Sequence, residues 1–184
     1  MKFSGLLVLS AVALSAAAQD RDVSRGGRPT QNAFNPNIED PGPWKEQREV
    51  EPPAFPKAED LREIYVSATA ANKFLIDAST LAVGTDGVVR YVLVVKTSGG
   101  ATNVSFEGIN CRDLRWKHYA TGRSDGTWTI SRAVRNDWRP IETKALNAHH
   151  AALSHDLFCP TGRAIKTADE GRNALRLGRH PEVN

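Results

Sequence analysis

Between Phe74 and Ser131 the apolar residues fall in short runs separated by glycine turns, the signature of β-strands rather than helices. Asp86-Gly87 separates Phe74–Val83 from Val88–Lys96, Ser98-Gly99-Gly100 separates that run from Asn103–Ile109, and Asp125-Gly126 separates Leu114–Ala120 from Thr127–Ser131. Asp-Gly is a strong hairpin signal because glycine supplies the positive φ that a tight turn needs. The pattern predicts an antiparallel meander. Leu114 and Trp116 share one face and Arg115 and Lys117 the other, and Trp128 and Ile130 repeat the alternation, as expected of a sheet covered on one side. Val88–Val95 is apolar on both parities apart from Arg90 and predicts the central strand. Gly108, which interrupts the alternation before Ile109, is the expected bulge.

Beyond Pro140 the period changes. Leu146, His150, Leu153 and Leu157 lie on one helical stripe that Pro160 ends. A shorter helix is expected over Ala168 to Leu177, with Thr167 as its cap, Glu170 completing a capping box and Gly178 terminating it. The expected fold is α+β: a mainly antiparallel meander of five to six strands with a C-terminal helix packed on one face. Ahead of the sheet, a helical turn is expected around Ala58–Arg62, and Pro52-Pro53-Ala54-Phe55-Pro56 is expected to be extended.

The N-terminus sets the compartment. Lys2 precedes an apolar run from Gly5 to Ala18 that ends in Ala16-Ala17-Ala18, followed at once by Gln19-Asp20-Arg21. This is the layout of a cleavable secretory signal over residues 1–18, and it is too short to span a membrane. No later stretch has the length and apolarity of a span, and a periplasmic destination is expected. Residues 19–43, rich in Arg, Asp, Gly, Asn and Pro, read as a flexible lead-in, with Trp44 the first residue to dock on a single domain running from 44 to 184.

Export changes the meaning of the two cysteines. Cys111 and Cys159 in an oxidising compartment are expected to form one structural disulfide, since they lack the Cys-x-x-Cys spacing of a redox pair. Closing a loop of this size stabilises a fold by about 4 kcal/mol on the chain-entropy account.

Charge adds less. The 184 residues carry a net charge of +3, and loss of Lys2 with the signal leaves +2, which argues against nucleic acid as partner. Locally the picture differs. Arg112, Arg115, Lys117, Arg123, Arg132, Arg135, Arg139 and Lys144 face only Asp113, Asp125, Asp137 and Glu142, with Trp116, Tyr119, Trp128 and Trp138 interleaved. Arg115, Lys117, Arg132 and Tyr119 are therefore the candidate contact residues for an envelope protein or an anionic polymer. The competing reading is an ordinary solvated sheet face. The acid-rich stretch from Asn37 to Glu63 could neutralise that basic region inside the fold.

Candidates for catalysis are sparse. His149, His150 and His155 invite a metal, but at about 100° per residue they diverge around a helix and lack the i, i+4 ligand spacing. Neither a metal nor another cofactor is expected. There is no Gly-x-Ser-x-Gly turn, and Ser98-Gly99-Gly100 is too short for a phosphate-binding loop. The alternative expectation is a small periplasmic hydrolase that uses His118 with a nearby carboxylate, Glu107 if adjacent strands bring the two together or else a neighbouring acid.

Asp86-Gly87-Val88-Val89-Arg90-Tyr91, Asn103 through Cys111, Tyr119-Ala120-Thr121-Gly122, Asp125-Gly126-Thr127-Trp128 and Phe158-Cys159-Pro160 occur in one order and include both cysteines. Together they resemble the CNP-like family of envelope proteins of Neisseria and related betaproteobacteria, over roughly Trp44 to Pro160. The resemblance implies a small exported domain and brings no catalytic residues with it. The first expectation is thus a non-enzymatic module that binds a macromolecule.

Overall fold

The computed structural model describes residues 43–47, 50–131, 138–144 and 148–183, all within the unit Gly42–Asn184. The expected signal and lead-in, apart from Pro43, lie outside these residues, as do Arg132 and Leu146.

Among the described residues eight strands form one antiparallel sheet: β1 (Leu61–Ile64), β2 (Lys73–Asp77), β3 (Ala82–Val83), β4 (Val88–Lys96), β5 (Thr102–Asn110), β6 (Arg115–Gly122), β7 (Trp128–Ile130) and β8 (Arg139–Pro140). The order is β1-β2-β4-β5-β6-β7. Two further short strands extend the expected meander: β3 pairs with β4 at Arg90 and Val89, and β8 pairs with β6 at Arg115 and Trp116. The three named turns are where the sequence places them. Gly87, Gly100 and Gly126 have φ of 76°, 88° and 81°, the left-handed region open to glycine. A 3₁₀ turn at Ala58–Asp60 precedes β1.

β4 is central, as its apolar run requires, with Val88, Val89, Tyr91 and Val92 fully buried. Its odd residues Val89, Tyr91 and Leu93 face the helices, together with Ile76, Ile109 and Trp116. Its even residues Val92 and Val94 join Phe106, Tyr119 and Ala120 in a second cluster. That second cluster corrects the expectation of a sheet covered on one side only. The extended segment before β1 is a strap across the other face: Val50 packs on the cluster, Phe55 meets Trp128 at 5.4 Å between ring centroids, and Trp128 Nε1 donates to the Pro53 carbonyl. Trp116 and Trp128 accordingly belong to opposite faces.

The bulge is not at Gly108. The register shift lies between Phe106 and Glu107, where Phe106 pairs with Ala120 and Glu107 with His118, leaving Tyr119 as the extra residue on β6. Gly108 serves that bulge by lacking a side chain, since a Cβ there would stand 2.8 Å from the Tyr119 ring and 2.9 Å from Val88.

On the other face lie α1 (Ala148–Ala152), a π-helical segment (Leu153–Phe158) and α2 (Ala168–Leu177). The expected stripe is partly kept: His150, Leu153 and Leu157 are buried. The wider π turn, closed by Cys159 N–H to the Ser154 carbonyl, also brings Ser154 and Phe158 inside. α2 matches its expectation at both ends. Thr167 Oγ1 accepts from the Glu170 amide at 3.2 Å, and Gly178 closes the helix with φ 76°. Cys111 and Cys159 are joined, with 5.5 Å between their Cα atoms, tying the end of β5 to the helical layer.

Candidate functional site

Three polar constellations stand on this frame, and they differ in what their charges already bind. The first is inside the helical face. The bulge turns Glu107 inward, where its carboxylate accepts from His150 Nε2 at 2.9 Å, the Tyr91 hydroxyl at 3.2 Å and the Ser105 hydroxyl at 2.7 Å. His150 stacks on Trp116 with centroids 3.8 Å apart, and His149 stacks on Phe74 and lies 4.0 Å from His150. Burial would raise the Glu107 carboxyl, but the His150 bond and charge, with the Ser105 bond, outweigh it and hold the group below its usual range. Burial and the neighbouring His150 drive His149 the other way, down to about 4, so its ring is neutral at ordinary pH.

This geometry bears on the acid–base pair expected from sequence. Strand register does bring His118 opposite Glu107. The side chains nonetheless bind elsewhere: His118 Nδ1 meets Ser131 Oγ at 3.1 Å and Nε2 meets Thr121 Oγ1 at 3.2 Å, while Glu107 takes His150. Glu107 is 5% exposed, so no solvent-facing cleft presents it to a substrate. Among the described residues no group of three or more His, Cys, Asp or Glu side chains is placed to hold a metal ion. His149 and His150 adjoin, whereas His155 is exposed on the π segment.

The second constellation fastens the strap. Glu46 accepts two bonds from Lys117 Nζ, at 3.0 and 2.8 Å, one from the Tyr119 hydroxyl at 3.0 Å and one from Trp138 Nε1 at 3.2 Å. Beside it the Arg90 guanidinium grips Asp86 with two bonds, at 3.0 and 2.6 Å, and Asp86 also accepts from the amides of Gln47 and Val88. Burial opposes ionisation of Asp86, yet Arg90 and the two amides hold its carboxyl below the usual range. Trp44 donates to the Asp86 carbonyl at 2.8 Å and meets Trp138 edge-on at 5.7 Å. Gly84 leaves room for the Arg90–Asp86 pair, since a Cβ would run into both side chains.

Two candidate contact residues sit in this second constellation. Lys117 is ion-paired with Glu46 and its side chain is only 14% exposed. Tyr119 is 7% exposed, its ring flanked by the Arg90 guanidinium at 5.6 Å and the Lys117 ammonium at 5.4 Å. Arg132 lies outside the described residues. Arg115 differs from all of these: it is exposed at the start of β6, directly across from Asn110 of β5, and makes no ion pair among the described residues.

Arg115 adjoins the third constellation, a groove of about 430 Å³ at the end of the sheet. Its walls are Trp44 of the strap, Asp86 and Gly87 of the β3–β4 turn, Asn110 to Arg112 at the end of β5, and Gly162 to Ala164 after the disulfide. Cys111 anchors one wall and Cys159 precedes the other, so the bridge fixes their separation. Arg112 and Arg163 are exposed on its rim, and among the described residues neither has an ion-pair partner.

The sequence pointed to Arg115, the cysteines and an acid-rich stretch, Asn37 to Glu63, able to neutralise the basic region, and Glu46 of that stretch does pair with Lys117; it did not single out Glu46 within the stretch, nor Asp86 as the partner of Arg90. The acid-rich stretch around Glu46 was the available signal; nothing in a turn reading of Asp86 points to Arg90. No curated protein matches the chain, and no solved structure does. A family description does, over residues 39–176, a span containing the groove, the Glu46 contacts and the buried Glu107–His150 pair, and the chain belongs to the CNP1-like family.

Proposed function

We propose that this chain is an exported, periplasmic binding module without catalytic activity, of the kind expected for Neisseria and related betaproteobacteria, and that it engages an anionic macromolecule. One observation carries the reading. Arg112, Arg115 and Arg163 crowd one end of the sheet, exposed and without ion pairs among the described residues, while the basic groups of the sheet face are neutralised from within. Exposed arginines over a rigid surface suit carboxylate, sulfate or phosphate groups, which a guanidinium can bind with two parallel bonds. The hydrolase alternative asks His118 to act with a carboxylate, and its nitrogens are bonded to two hydroxyls instead.

The test is retention of the purified mature protein on a heparin matrix at low ionic strength, compared with the triple variant R112E/R115E/R163E. The wild type is expected to be retained and the variant to pass through, with both showing the same melting temperature. Equal retention would refute the assigned surface. Mass measurement of the protein recovered from its own envelope fixes the mature N-terminus, expected after Ala18.

A further inference from the structure

The groove itself has a composition narrower than a general basic patch. Its charged rim consists of Arg112 and Arg163, and its body is less polar: the Trp44 ring, Cys111 of the disulfide and Ala164. The one carboxylate among its walls, Asp86, does not oppose an anion. Its side chain is 3% exposed, and its oxygens are taken by Arg90, Gln47 N–H and Val88 N–H. Asn110 is likewise committed, donating to Asp113 and accepting from the Arg112 amide. What remains for a ligand is two guanidiniums without an ion pair among the described residues and an aromatic, apolar wall.

We infer that this groove binds an extended acidic peptide segment of a partner protein, with carboxylates on Arg112 and Arg163 and an apolar side chain against Trp44. The inference rests on the binding reading above and narrows it from any anionic macromolecule to one class. The volume, about 430 Å³, lies in the range of small-ligand sites and accommodates a few residues of extended chain. A guanidinium pairs with a carboxylate through two parallel bonds, which gives the groove geometric selectivity that a lysine patch lacks. A fully charged polymer matches the rim but leaves the tryptophan and the disulfide wall without a partner, whereas alternating acidic and apolar side chains use both. The disulfide holds the two walls before the ligand arrives, so little ordering is needed on binding.

The experiment is a fluorescence anisotropy titration of the mature protein with a fluorescein-labelled peptide of alternating glutamate and leucine, followed by competition with heparin. Wild type is expected to bind saturably. R112Q/R163Q is expected to bind at least tenfold more weakly, and K117Q as tightly as wild type. R112Q/R163Q should keep the wild-type circular dichroism spectrum and melting temperature, because Arg112 and Arg163 are exposed, whereas K117Q, which loses the Glu46 pair, is expected to melt lower and is compared at a temperature where its spectrum is that of the folded protein. The inference is overturned if heparin binds through Arg112 and Arg163 while the peptide does not. It is also overturned, with the binding reading intact, if the peptide binds R112Q/R163Q as tightly as wild type while heparin is still lost by R112E/R115E/R163E. Failure of both probes to bind wild type would sink the two readings together.

Discussion

Lys117 and Arg115 lie two residues apart on β6, point to the same face of the sheet, and have opposite fates. Lys117 is sealed under the strap and neutralised by Glu46; Arg115 stands exposed beside a groove whose other guanidiniums are also free of ion pairs among the described residues. A basic stretch in sequence is a count of charges, while the surface is decided by which acids the fold brings back to them. Here a segment some seventy residues away in sequence removes one cation and leaves the next untouched.

The largest loss of stability is expected at the buried Asp86–Arg90 pair beside the strap. Asp86→Ala leaves Arg90, 5% exposed, without its carboxylate, and removal of one partner of a buried ion pair costs about 3–5 kcal/mol. Urea denaturation is expected to show a loss of that size. A loss under 1 kcal/mol would mean that the buried pair adds little to the fold.

A pH titration probes the helical face, on the side of the sheet opposite the strap. His149 titrates at about 4 in the fold against 6.5 when unfolded, so the unfolded chain binds the extra proton between those values. Stability is therefore complete above pH 6.5 and falls as pH drops from 6.5 towards 4, by at most about 3 kcal/mol. Glu107, held below its usual range, adds a loss of the same sign at lower pH. His149→Gln is expected to flatten the profile between pH 6.5 and 4; an unchanged slope would place the titrating group elsewhere.

Glu46→Ala sharpens the contrast directly. It takes away four hydrogen bonds and is expected to destabilise the fold by about 1–3 kcal/mol, read as a lower melting temperature. It also frees Lys117, so the variant should bind heparin more tightly than wild type. Weaker binding would show that the strap itself is part of the contact. The smallest effect belongs to Arg115→Gln, expected to change stability by less than about 0.5 kcal/mol because the side chain is exposed and unpaired among the described residues.

The legible part of the fold was what short-range chemistry dictates. Gly87, Gly100 and Gly126 mark turns because positive φ is a local demand, and Thr167, Glu170 and Gly178 delimit α2 because a helix end must satisfy its own orphan groups. The Cys111–Cys159 bridge followed from compartment and count. Illegible were features made by long-range return of the chain. Period-two alternation around Trp116 carries no trace of a strap on the opposite face. The bulge displaced from Gly108 to Tyr119 sets a ring over a missing Cβ, and the π turn after Ala152 places Phe158 5.6 Å from Tyr91, both contacts between residues far apart or on different strands. The site divides in the same way: Arg115 was readable as a basic residue of an exposed parity, whereas the groove needs residues 44, 86, 112 and 163 at once.

If unneutralised arginines at one end of the sheet, rather than basic residues in general, make the binding surface, Arg115→Gln should leave a heparin column at lower salt than wild type and Lys117→Gln at the wild-type salt concentration. Equal displacement of the two variants would contradict that origin of the surface.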